Sequence, residues 1–200
     1  MTLLYRIVAA KQNTQARRKV LQFAATFLAI ILQTPIGNIA MAADDDVLKF
    51  SSHDLGLKIF SASDFRLVYA NSPHELALGE VAREKNATDE MREPGFTSGE
   101  YPSFAGPVEM EWRSKEGIHF KHTLDLDSIF KDRKVLHHED PARIYKPMPV
   151  SGGAPTIIIE VNDRTVNVYM FTTIQIIPQD PNAIRREAHD NMVLAYSKTF

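Results

Sequence analysis

Cysteine is missing from this 200-residue chain, tryptophan occurs once, and the first 43 residues contain no Asp or Glu at all. Without cysteine there is no disulfide framework, no thiol nucleophile and no thiolate metal site, so burial alone has to hold the fold. Also lacking are a Gly-x-Ser-x-Gly nucleophile elbow, a glycine-rich phosphate loop, a dinucleotide fingerprint and a calcium loop. Ser151-Gly152-Gly153 sits in a Pro-rich linker rather than between a strand and a helix. Asp125 with Asp127, or Glu109 with Glu111, fits the solvent side of a strand better than a glycosidase pair. The expectation is a protein that is not an enzyme and carries no cofactor.

The acid-free stretch has a second meaning. Five Lys or Arg lie in it, followed by an apolar run from Val20 to Ile36, then Ala40-Met41-Ala42 and the triplet Asp44-Asp45-Asp46. That order is the pattern of a cleaved export signal over residues 1–43, with cleavage after Ala42 or Ala43, and it predicts a periplasmic protein. Arg17-Arg18-Lys19-Val20-Leu21-Gln22 suits an ordinary secretory signal and loosely fits a twin-arginine motif, so both export routes remain open. An uncleaved anchor would need about 20 apolar residues and would draw Pro35, Gly37 and Asn38 into the span, so no stable membrane span is expected after cleavage. With no cysteine after the apolar run, a lipid anchor of the lipoprotein type is excluded.

The signal takes five of the 23 Lys and Arg and none of the 25 Asp and Glu, leaving 157 residues, 44–200, with a formal charge of −7. One domain of ordinary size follows. An acidic surface repels phosphate backbones, which disfavours nucleic acid and anionic membranes and favours a basic protein as partner. Asn86-Ala87-Thr88 matches a glycosylation sequon but reads as a surface loop.

Period-two patterning dominates the mature chain. Val108, Met110 and Trp112 alternate with Glu109, Glu111 and Arg113; after Ser114-Lys115-Glu116-Gly117 the return arm places Ile118, Phe120, His122, Leu124 and Leu126 on one face. This predicts a hairpin with one buried and one wet face, on which Glu109 and Glu111 can approach His119 and Lys121. A second hairpin, 156–161 with 165–177 around Asn162-Asp163-Arg164, is apolar on both faces and predicts a strand covered from both sides. Strands are also expected within 47–60 and 65–70, and the final apolar segment 192–200 reads as a closing strand in preference to a helix. Sparse apolar residues over 73–93 predict a short helix or solvated loop, and three Pro with three Gly over 94–107 predict an ordered loop. The expected fold is mainly β, an antiparallel sandwich-like domain with one short helix in the 75–92 region.

Candidate contact residues fall in the irregular segments. Phe96, Tyr101, Phe104 and Tyr145 sit among Pro and Gly, where rings either supply contact area or pin loops to the scaffold. Glu100, Tyr101 and Phe104 form one candidate set. His137, His138, Glu139 and Asp140 form the other, read as a polar loop rather than a metal site because adjacent histidines need further ligands from elsewhere. His119 and His122 are three apart on a strand, which sends them to opposite faces and prevents joint chelation.

The runs Met110-Glu111-Trp112-Arg113-Ser114-Lys115-Glu116-Gly117, Leu124-Asp125-Leu126 to Phe130 to Val135-Leu136-His137, and Ile158 to Met170 make residues 108–200 similar to small exported proteins of bacterial type VI secretion neighbourhoods. Some of these are regarded as immunity proteins against lipase-type effectors. The resemblance implies a periplasmic protein that binds a cognate toxin and blocks its active site or its access to lipid. It assigns no interface residue. The alternatives are a periplasmic carbohydrate or small-ligand binding module, and a structural accessory of the envelope.

Overall fold

Alternation of apolar and polar residues produces nine strands in the computed structural model, which describes residues 47–180 and 182–200; the expected signal lies outside them. They are β1 (Ser52–Phe60), β2 (Ala62–Tyr69), β3 (Ser72–Leu76), β4 (Phe96–Pro102), β5 (Val108–Ser114), β6 (His119–Leu124), β7 (Thr156–Asn162), β8 (Thr165–Ile176) and β9 (Glu187–Thr199). Two sheets face each other, one of five strands in the order β4-β1-β7-β8-β9 and one of four in the order β3-β2-β5-β6. The fold is mainly β and sandwich-like, as the patterning predicts. No helix among the described residues is long and apolar enough to cross a membrane.

Both hairpins form where expected. On β5, Val108, Met110 and Trp112 are buried while Glu109 and Arg113 are exposed, and β6 pairs with it in a register that sets Glu111 opposite Lys121. Trp112 is fully buried, and its indole Nε1 donates to the carbonyl of Asp163 at 2.7 Å, fastening the turn of the second hairpin to the first. Leu55, Leu57, Phe65, Leu67, Ile157, Ile159, Val168 and Met170 fill the space between the sheets. The last segment is a strand, β9, paired along its length with β8.

Three details depart from the sequence reading. β1 runs parallel to β7, whereas every other strand pair is antiparallel. The whole four-stranded sheet intervenes in sequence between these two strands, so they meet through a long crossover and no hairpin constrains their direction. Residues 96–102, expected as loop, form the edge strand β4; its Pro102 ends the strand at an edge, where a missing N–H is tolerated. The short α-helix, α1 (Leu126–Ile129), lies after β6 and starts on the side chain of Asp125, which accepts from the N–H groups of Asp127 and Ser128. In the 75–92 region there is only a single 3-10 turn at Ala87–Asp89.

That region does something else. Leu78, Val81 and Met91 stay exposed, so the segment 77–95 has no apolar stripe with which to dock as a helix. It instead crosses the outer face of the five-stranded sheet as a strap. Ser61 N–H donates to the carbonyls of Ala82 and Arg83, Ala82 N–H to that of Ala62, and Pro94 lies against Gly56, which Ile158 flanks. The strap explains why Ile157, Ile158 and Ile159 are all fully buried, which alternation on a two-layer sandwich cannot do by itself.

A Cβ at position 56 would stand 2.6 Å from Pro94 Cγ and 3.1 Å from Ile158 Cγ1. Gly56→Ala is expected to lower stability by about 1–3 kcal/mol in urea denaturation, because a proline ring has no rotamer with which to give way. An unchanged midpoint would show that the strap does not press on the sheet.

Candidate functional site

The two predicted contact sets lie at opposite edges of the five-stranded sheet. Glu100 is exposed on β4, but the rings of Tyr101 and Phe104 turn inward. Tyr101 lies 5.0 Å from Tyr69 and 6.0 Å from His53 between ring centroids; Phe104 lies 5.4 Å from His53 and 5.9 Å from Phe50. These aromatics pin the 96–107 segment to the sandwich. His137 to Asp140 dock on β9: Glu139 pairs with His189 Nδ1 at 3.0 Å and accepts from Asn191 Nδ2 at 3.2 Å, and the His138 N–H donates to Asn191 Oδ1 at 2.9 Å. The His137 ring accepts from the Glu139 N–H, and Asp140 caps the turn at Pro141–Arg143. Among the described residues no three His, Asp or Glu converge as metal ligands. With β1, β7 and β8 between the two sets, a partner touching both would span about 19 Å of sheet.

Beneath Tyr101 and Phe104 lies His53, fully buried on β1. Tyr69 Oη accepts from the Ala105 N–H at 3.2 Å and shares a hydrogen bond with His53 Nε2, also 3.2 Å away, whose direction is set by the His53 tautomer. The other ring nitrogen, Nδ1, is buried without a partner. Burial pushes the His53 pKa down to about 4 and raises that of Tyr69.

The strap covers one end, Lys58 and Glu160, of a polar row that the sequence reading missed and whose other end, Ser197, is exposed. Lys58 on β1, Glu160 on β7, Asn167 on β8 and Ser197 on β9 are register neighbours across the outer face. Glu160 Oε1 accepts from Lys85 Nζ at 2.8 Å and from Asn167 Nδ2 at 3.1 Å, and Ser197 Oγ donates to Asn167 Oδ1 at 2.7 Å. Lys58 donates to the Asp89 carbonyl at 3.1 Å, and burial lowers its pKa against the opposing pull of Glu160. Arg83 grips the Asp89 carboxylate with two bonds of 2.7 and 2.6 Å, and that hydrogen-bonded pairing holds the carboxyl far below its usual range. A glutamate inside Ile157 to Val161 was the available signal: a charge in the middle of an apolar run needs a buried partner.

The other sheet keeps its outer face bare. Arg66, Val68, Glu109, Lys121 and Thr123 are exposed there around a shallow depression of about 560 Å³. Glu111 is its hub: Lys121 Nζ stands 3.0 Å, His119 Nε2 3.5 Å and Arg66 Nη1 3.7 Å from its carboxylate, with Arg66 also paired to Glu75 at 3.1 Å. The Lys121 hydrogen bond is the largest cause holding the Glu111 carboxyl below its ordinary value. Chemically this surface offers fixed charges of both signs. The histidines donate to or accept from tyrosine hydroxyls, glutamate carboxylates and a backbone N–H, and none shows a hydrogen bond to a serine or threonine hydroxyl among the described residues.

The neutral His53 ring sets a pH dependence. Above pH 6.5 folded and unfolded states are both unprotonated there; as pH falls from 6.5 towards 4 only the unfolded chain takes up the proton, so stability drops. The lowered pKa values of His74 and His122 act in the same direction. Chemical denaturation is expected to show a loss of about 3 kcal/mol from His53 between pH 7 and 4, absent in His53→Phe. Equal slopes for the two proteins over that interval would show that the ring titrates normally in the fold.

The chain matches no protein-family model, no curated protein and no solved structure.

Proposed function

We propose that the mature domain is a periplasmic binding protein that neutralises a secreted antibacterial effector by stoichiometric occlusion, without turnover. The observation that carries this reading is the asymmetry of the two outer faces. The five-stranded sheet is covered by its own strap over β1 and β7, while the four-stranded sheet presents an unshielded platform whose charges are already held in place by cross-strand pairing. Exposed pairs of this kind contribute only about 0.2–1 kcal/mol each to folding, so their arrangement is a weak device for stability. As a docking face it fixes register and speeds encounter with a complementary surface. The mature charge of −7 favours a basic partner. The toxin-directed role comes from the resemblance of residues 108–200 to exported immunity proteins.

The small-ligand alternative is favoured by one feature. β4 stops at Phe96 while β1 continues to Phe60, and a notch of about 480 Å³ opens there beside Lys58, Arg92 and Phe96. Its charges are largely taken up by Asp89, which makes it the weaker candidate.

Deleting the chain from a strain that secretes antibacterial effectors is expected to make its cells sensitive to killing by their own siblings. Re-expression of the full chain restores resistance; residues 44–200 alone, kept in the cytosol, do not. Glu109→Arg with Glu111→Arg should abolish protection while lowering the stability measured by urea denaturation by no more than about 3 kcal/mol. Deletion cells that survive sibling contact unharmed, or a protective Arg double variant, would defeat the assignment of role or of face respectively.

A further inference from the structure

The polar row under the strap brings together four groups in an order that has chemical meaning. A primary amine, Lys85 Nζ, and a carboxamide nitrogen, Asn167 Nδ2, are both hydrogen-bonded to the same oxygen of Glu160. A hydroxyl, Ser197 Oγ, donates to the carbonyl oxygen of that carboxamide at 2.7 Å. Glu160 is 1 % exposed and its second oxygen has no partner, and the Lys85 side chain is 16 % exposed. Phe60 and Tyr169 wall the amine, their ring centroids 5.9 and 5.7 Å from Nζ. Lys85 belongs to the strap and Asn167 to β8, 82 positions apart, so a bond between them would close the strap over the sheet in a chain with no cysteine to do so.

We propose that Lys85 and Asn167 become joined through their side chains by an amide bond, with Glu160 carrying the proton and Ser197 polarising the carbonyl. Glu160 takes a proton from Lys85 Nζ along the 2.8 Å bond, and the neutral amine attacks Asn167 Cγ. Charge developing on Oδ1 is met by the Ser197 hydroxyl. The Cγ–Nδ2 bond then breaks as Glu160 passes its proton to Nδ2; Glu160 next takes the second proton from the attacking nitrogen, leaving a neutral amide N–H, and ammonia departs with that proton as ammonium. Amine and carboxamide become a secondary amide and ammonia; nothing is oxidised or reduced, and no cofactor is consumed. Burial lowers the Lys85 pKa, but the hydrogen bond and charge of Glu160 more than reverse this, so the neutral amine is a minor state. A bond that forms once per molecule and does not reopen needs only a minor state. This inference is independent of the binding role proposed above.

The full chain, recovered after export and without treatment beyond denaturation, gives the test by mass spectrometry. The expected tryptic map contains residues 84–92 joined to residues 165–185, with a loss of about 17 Da, the mass of ammonia, relative to the two peptides. Lys85→Arg should abolish the joined species. Asn167→Asp should retain it with a loss of about 18 Da, because water now leaves in place of ammonia. Recovery of both peptides unjoined from the wild-type protein overturns the proposal. So does a 17 Da loss at Asn167 that survives Lys85→Arg, which would mark ring closure onto its own backbone.

Discussion

Every feature outside the core follows from the need to cover β7 on both sides. It lies at the centre of the five-stranded sheet, and its three consecutive isoleucines are fully buried. The four-stranded sheet covers Ile157 and Ile159, and a two-layer sandwich has nothing left for Ile158. The strap supplies that third layer. Burying three isoleucines on a strand of seven residues is worth roughly 5–9 kcal/mol of apolar transfer, so losing one face of it would threaten a domain with no covalent support.

Covering the sheet with a charged segment has electrostatic consequences. The strap brings Arg83, Lys85, Asp89 and Arg92 over a surface that already carries Lys58 and Glu160, so the buried carboxylates of Asp89 and Glu160 must be neutralised, Glu160 by the largely buried Lys85 and Asp89 by arginines that keep contact with water. Asp89 does this twice, by gripping Arg83 through its carboxylate and by offering its carbonyl to Lys58. Buried pairs of this kind seldom exceed apolar packing in stability, but they punish misplacement, since removing either partner leaves a desolvated charge. A strap of Leu and Val could slide along the sheet. One fixed by Lys85 on Glu160 and by the Asp89 carbonyl on Lys58 cannot, and the bidentate Arg83–Asp89 pair holds the strap's own bend.

What was legible in the chain was whatever alternation controls. The 108–124 and 156–176 hairpins, the inward Trp112 and the half-buried His122 against Tyr196 follow from period two alone. The parallel β1–β7 pairing was not legible, because direction between strands so distant in sequence is decided by a crossover and not by local pattern. Nor was the strap. Residues 77–95 look like a solvated loop by composition, and their role depends on Lys58, which looks like an ordinary outward residue, and on Glu160, whose place in an apolar run calls for a buried partner without saying which. The aromatic residues Tyr101 and Phe104 could have been contacts or pins, and the deciding fact, His53 and Tyr69 beneath them, is a tertiary one.

The contrast between loops and sheet bears on how this domain can hold a partner. Tyr101 and Phe104 already spend their contact area on the interior, and the His137 to Asp140 loop has committed Glu139 to His189 and Asn191. Binding through those residues would first have to break what they do for the fold. The platform around Glu111 would give up less, since its pairs are exposed and contribute little to folding, and its side chains stand on three hydrogen-bonded strands whose backbone is already ordered. Val68 adds exposed apolar area among charges that are held in register, an arrangement suited to a flat, polar-rimmed contact. A toxin whose mouth is ringed by basic residues would find Glu75, Glu109 and Glu111 on one face, interleaved with Arg66 and Lys121. That alternation discriminates among basic surfaces by position and not merely by charge, because a partner with its cations one strand spacing out of place would meet like charge.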